Sequence, residues 1–253
     1  MYEYTTASSA ADCGDCPAGY YCLDGNPTPV LCDLGYYCPH GTTQETQIGC
    51  PEYTYGATYG LMIAGECTTC PAGYACNSTG ISDYTNWPCP VGYYCPGATD
   101  PVPCPAGTYA PNTGYNNTNQ CISCPLYSYC PSGSANISPC PQGYYCPAGV
   151  GAGIVCPAGY YCPTNTSTPL DCPATYYCGV GAYTPTQCWV GTYCPANSIA
   201  AYNCPAGYIG INASGLAHLS AQETACEACA AGKYGADPNR LTCTPGEPGW
   251  IYY

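Results

Sequence analysis

The chain has 253 residues, of which 27 are Cys, 30 Tyr, 31 Gly and 28 Pro, and none is Phe. Fifteen acids against two bases, Lys233 and Arg240, leave a net charge of −13, which excludes the basic surface that nucleic-acid binding requires. Leu, Ile and Val are sparse, so no stretch supplies a large aliphatic core, and covalent cross-links must stand in for it.

Such cysteine density lies in the disulfide-scaffold range and survives only in an oxidising compartment, so the expected location is secreted or cell-surface. No stretch has the charged start and apolar run of a signal peptide, and none approaches the ~20 apolar residues of a membrane span.

Residues 1–12 read as a polar tail. From Cys13 onward the chain is a serial array. Cys-Pro-x-Gly-Tyr-Tyr-Cys recurs at Cys16–Cys22, Cys89–Cys95, Cys140–Cys146 and Cys156–Cys162. Degenerate copies run Cys32–Cys38, Cys70–Cys76, Cys124–Cys130, Cys172–Cys178 and Cys188–Cys194. Longer units open at Cys50, Cys104, Cys204 and Cys229 and end at Cys67, Cys121, Cys226 and Cys243. From Cys124 to Cys204 the first cysteine of each unit, its opener, returns every 16 residues. A fixed period indicates a rod or solenoid rather than a globule.

A larger grammar of short, short, long units divides the chain. It places a first module at 13–67, a second at 68–121, an expanded third with the 16-residue repeats at 122–226, and a partial module with a tail at 227–253. Pairing every opener with the next cysteine makes thirteen bridges and leaves Cys13 over. Starting instead at Cys13–Cys16 needs four bridges across a two-residue gap, a strained and redox-active spacing, and strands Cys243. The first scheme is preferred, and interleaved pairings stay open. By the same grammar Cys13 closes a unit whose opener lies upstream of Met1. Its partner is then lost or it is free; the sharper alternative is an interchain disulfide.

In Cys-Pro-x-Gly, Pro at the second and Gly at the fourth position read as a type I turn, which lets two cysteines five residues apart meet. A bridge closing about seven residues contributes roughly 2.4 kcal/mol in the chain-entropy model. The Tyr before the closing Cys is placed to lie over its own disulfide or over the next unit. Pro and Gly throughout forbid long helices, leaving short strands, turns and coil, with a helical turn expected only at 214–223. The fold class is therefore small disulfide-rich repeats in an elongated rod.

The long unit from Cys104 (CPAGTYAPNTGYNNTNQC, then IS and Cys124) resembles the ephrin-receptor-like cysteine-rich repeat, itself similar to tumour-necrosis-factor-receptor and EGF-like modules. Cys229 to Cys243 follows the same pattern, Cys-x-x-Gly-x-Tyr and a closing Cys. The resemblance implies opener-to-next-cysteine pairing in the long units. The short units depart from it, and no ligand-binding residues carry over.

Five N-glycosylation sequons begin at Asn77, Asn116, Asn136, Asn165 and Asn212, and Ser/Thr/Pro stretches such as 163–169 are candidates for O-linked sugar. Between residues 101 and 222 the only formal charge is Asp171, so a Tyr-rich, nearly uncharged surface needs covering by sugar or by other copies. The abundant Tyr reads first as the packing aromatic of a half-exposed rod, and more sharply as a surface for sugars or neighbouring protomers. The Cys-x2-Cys pairs have disulfide roles and His40 and His218 are isolated, so zinc is not expected. Asp12, Asp15, Asp24 and Asp33 lack calcium-loop spacing and read as solvated acids. No catalytic constellation, metal site or cofactor is expected. The expected role is an extracellular structural glycoprotein that self-associates as the protomer of a surface filament, hair or coat. The alternatives are a receptor or adhesion ectodomain binding a protein or glycan, and a secreted accessory or inhibitor module.

Overall fold

One rule of strand pairing, repeated from unit to unit, builds this protein. The computed structural model describes residues 16–24, 26, 28–189, 191–210, 226–235 and 242–245; the helical turn expected at 214–223 lies outside them. It divides into two units, Met1–Ser123 with Pro131–Asn136, and Cys124–Cys130 with Ile137–Tyr253.

The fourth and fifth residues after each opener pair, antiparallel, with residues just before the next opener. In the first unit Tyr20–Tyr21 pairs with Val30–Leu31, Tyr36–Tyr37 with Ile48–Gly49, Thr54–Tyr55 with Thr68–Thr69, Tyr93–Tyr94 with Val102–Pro103, and Thr108–Tyr109 with Ile122–Ser123. At Cys70 the pairing shrinks to a single bridge, Tyr74 to Pro88. In the second unit the same register gives Ser128–Tyr129 with Ser138–Pro139, Tyr144–Tyr145 with Ile154–Val155, Tyr160–Tyr161 with Leu170–Asp171, Tyr176–Tyr177 with Thr186–Gln187, and Thr192–Tyr193 with Tyr202–Asn203. Tyr208–Gly210 with Cys226–Ala228 and Lys233–Gly235 with Cys243–Pro245 continue it. Strands stay two or three residues long because a turn or a bridged cysteine bounds each, and a ladder this short tolerates Pro103 and Pro139 at its edge. The described helical residues form four three-residue 3-10 turns, at Gln44–Thr46, Ala64–Glu66, Tyr84–Asn86 and Thr118–Gln120.

The turn sits one residue later than the type I reading places it. Tyr20 N–H donates to the Pro17 carbonyl at 3.2 Å, so the turn is Pro17-Ala18-Gly19-Tyr20 with Gly third, at φ +84°. A positive φ at the third position alone is the type II signature. The register recurs at Gly35, Gly92, Gly143 and Gly159, with φ between +82° and +84°.

Within each unit, backbone hydrogen bonds stitch the described repeats to their successors. The residue three after the opener donates to the carbonyl six after the next opener: Gly19 to Cys38, Gly73 to Cys95, Gly143 to Cys162, Gly159 to Cys178. Each next opener returns the bond, as in Cys32 to Gly19 at 2.9 Å and Cys156 to Gly143 at 2.9 Å. A left-handed residue in the following loop donates to the preceding opener's carbonyl. Gly41 does so to Cys16, Gly60 to Cys32, Gly80 to Cys50, Gly149 to Cys124, Asn165 to Cys140 and Asn197 to Cys172. Groups that short strands leave unpaired are thus satisfied between repeats.

The structure joins each opener to the next cysteine. The short bridges are Cys16–Cys22, Cys32–Cys38, Cys70–Cys76, Cys89–Cys95, Cys124–Cys130, Cys140–Cys146, Cys156–Cys162, Cys172–Cys178 and Cys188–Cys194. The long ones are Cys50–Cys67, Cys104–Cys121, Cys204–Cys226 and Cys229–Cys243. Sulfur is the core: the largest fully buried side chains are all cysteines. Apart from them, the buried apolar residues among those described are Tyr21, Leu61, Ala75, Ile81 and Ala110. Of the two placements open to the Tyr before the closing Cys, the next unit's bridge is the one seen. Tyr21 packs on Cys32 and Cys38, Tyr37 on Cys50 and Cys67, and Tyr193 on Cys204 and Cys226. This is a small disulfide-rich repeat architecture.

Candidate functional site

With the cysteines filling the interior, many aliphatic residues lie outside. Leu31, Ile48, Ile122, Ile154, Val155 and Leu170 all lie on second strands and are 40–46% exposed. Trp189 is half exposed, and its ring meets Tyr177 edge-on at 5.9 Å. Tyr84 meets Tyr55 and Tyr74, each pair with ring centroids 4.8 Å apart, so part of the Tyr excess is internal packing.

Four sequon asparagines, Asn77, Asn116, Asn136 and Asn165, are exposed on loops. Asn116 accepts at Oδ1 from Asn117, a contact that leaves its amide nitrogen out of the bond. Asn165 has φ +57°, and the adjoining Thr166 hydroxyl is buried and donates to the Pro163 carbonyl at 2.6 Å. The fifth sequon, Asn212, and Cys13 lie outside the described residues, as do Asp12 and Asp15.

The acids do not converge. Asp33 binds the Gln47 side chain, accepting from Nε2 at 2.9 Å while its own N–H donates to Oε1 at 3.0 Å. Asp83 caps a 3-10 turn, and the Thr85 hydroxyl and N–H that donate to it hold its carboxyl below the usual value. Tyr53 donates to Asp100 at 3.0 Å; that bond, with Asp100's charge, raises the phenol above its ordinary value. Among the described residues no three His, Cys, Asp or Glu side chains group as a metal site.

One concavity collects mixed chemistry, and the sequence reading did not single it out. Tyr193, Pro195, Ala196, Asn197, Ser198 and Tyr202 line a cleft of about 270 Å³ in the second unit. Tyr193 and Tyr202 face each other across the hairpin, ring centroids 5.6 Å apart. Ser198 is buried and bonds the Pro195 carbonyl at 2.6 Å. Asn197 stands at φ +62°, its backbone held by Cys172, and its Nδ2 donates to Asp171 at 2.9 Å. The available signal was the isolation of Asp171 as the single charge in a long neutral stretch. Its partner 26 residues on could be found only in space.

No protein-family model matches the chain. A stretch of 100 residues is 31% identical to ABC transporter G family member 25 of rice (Oryza sativa subsp. japonica), covering 35% of this chain and 10% of that protein. The chain thus spans about a tenth of the length of this curated relative.

Proposed function

We propose that this protein is an extracellular structural glycoprotein, a protomer that self-associates into a surface filament, hair or coat. The observation that carries the reading is the inversion of the usual partition: disulfides fill the interior while Leu, Ile, Val and Tyr line the hairpin surfaces of a charge-poor chain. Half-exposed apolar residues on the second strands suit lateral packing between copies, and sugar on Asn77, Asn116, Asn136, Asn165 or Asn212 covers what remains. Thirteen disulfides fit an oxidising compartment, and no helix among the described residues is long and apolar enough to cross a membrane.

Electron microscopy of the purified full chain tests the reading. Ordered assemblies of many copies are expected; a monodisperse monomer at all concentrations overturns it. Mass after enzymatic removal of N-glycans should fall to the 26.3 kDa of the polypeptide. An unchanged mass rejects the glycoprotein part. Gel mobility with and without reductant reports on Cys13: an interchain bridge requires a larger species without reductant. A second reading, an ectodomain module of a larger surface protein, draws on the rice relative, where the similar stretch fills a tenth of the length. A ligand-bound monomer in place of assemblies would favour it.

A further inference from the structure

We infer that the cleft between Tyr193 and Asn197 binds a neutral pyranose sugar, an activity separate from self-association. The cleft holds the two kinds of group that a sugar ring demands. A pyranose has apolar C–H faces and an equatorial rim of hydroxyls that both donate and accept. Tyr202 is 41% exposed and paired with Tyr193, so a firm aromatic wall stands ready for a C–H face. Pro195 and Ala196 extend the apolar lining.

The polar side is Asn197, whose hydrogen-bond partner Asp171 lies outside the residues that line the cleft. One N–H of the Asn197 amide is spent on Asp171 Oδ1. The amide's second N–H and its Oδ1 can serve two neighbouring hydroxyls, one as donor and one as acceptor. Asp171, a charged acceptor, makes the stronger hydrogen bond to the amide and so fixes how Asn197 is turned. Asn197 is held for this by its backbone: its N–H is bound to the Cys172 carbonyl at 2.8 Å and its left-handed φ is set by the repeat ladder. Ser198, bonded to Pro195, stiffens the same turn. A volume of about 270 Å³ suits one ring rather than a long chain. Asp171, one hydrogen bond from the lining, sets the charge preference by disfavouring a sugar acid.

Saturation-transfer NMR on the full oxidised chain tests this, with the methyl glycosides of mannose, glucose, galactose and N-acetylglucosamine as probes and methyl glucuronide as the anionic control. At least one neutral glycoside should receive saturation and the glucuronide none. Tyr202→Leu and Asp171→Ala should each weaken binding about tenfold. Asp171→Asn keeps the shape and the bond to Asn197; it should weaken neutral sugars less and admit the glucuronide. Tyr59→Leu, at an exposed Tyr in the other unit, should change nothing. Mass under non-reducing conditions and circular dichroism verify that each variant retains its bridges and fold. Absence of transfer to every neutral glycoside overturns the inference. So does binding that survives both Tyr202→Leu and Asp171→Ala, or equal binding of the glucuronide by the wild type. Assembly is read separately by microscopy, so failure here leaves the structural role standing, and the reverse.

Discussion

Glycine at the third turn position is required twice over. Gly143 has φ +82°, and a Cβ built there would stand 2.7 Å from the Gly181 carbonyl oxygen of the second repeat on. Gly19 meets Gly60 O at 2.7 Å and Gly159 meets Asn197 O at 2.8 Å in the same way. Gly143→Ala should therefore destabilise the chain by about 2 kcal/mol, combining left-handed strain with a backbone clash. Thr175 occupies the equivalent position at φ +75°, an unfavourable place for a β-branched residue. Thr175→Gly should stabilise by roughly 0.5–1 kcal/mol, the left-handed cost less glycine's greater chain entropy. Guanidinium unfolding of the oxidised proteins measures both, and equal responses at the two sites would refute the argument. The Tyr53–Asp100 bond gives a pH signature. The neutral phenol is the bonded form, so its small contribution is present below the ordinary 10.0 and fades as pH rises through the raised folded value. Phenolate absorbance of wild type minus Tyr53→Phe should show one group ionising above 10.0.

A hairpin of two-residue strands has no stability of its own. What holds one is the bridge inside it and, at the Cys32, Cys50, Cys70 and Cys204 repeats, the aromatic handed on from the repeat before. The two tyrosines of Tyr20–Tyr21 have opposite duties: Tyr21 is 8% exposed against Cys32 and Cys38, while Tyr20 is 37% exposed. Tyr21→Ala should cost about 3 kcal/mol, and Tyr20→Ala less than about 1 kcal/mol. Limited proteolysis between residues 22 and 32 should quicken only in the first variant. Similar cleavage of both would show that the disulfides alone hold the hairpin.

Across each unit, stability is a sum over repeats and the contacts between neighbours, since every ladder bond joins adjacent or next-adjacent repeats. Reductant should therefore remove the strand signal in circular dichroism entirely, because few buried apolar residues remain once the sulfurs separate. Retention of the folded spectrum in reductant would contradict a sulfur core. Partial reduction should release repeats in a graded way rather than in one step.

Much of this was legible along the chain. Cysteine spacing, proline and glycine punctuation and the absence of Phe identify a stapled repeat array with short strands and little helix, because covalent loops of five intervening residues are local objects. The turn register was not legible: Cys-Pro-x-Gly and Pro-x-Gly-Tyr are both sound turn sequences, and only the Tyr20 to Pro17 bond decides between them. Nor could periodicity say which bridge each Tyr covers, or that Asn197 reaches Asp171. Those facts belong to repeats meeting in space. They are set by φ at single residues and by how closely one backbone approaches the next, quantities a linear pattern does not carry.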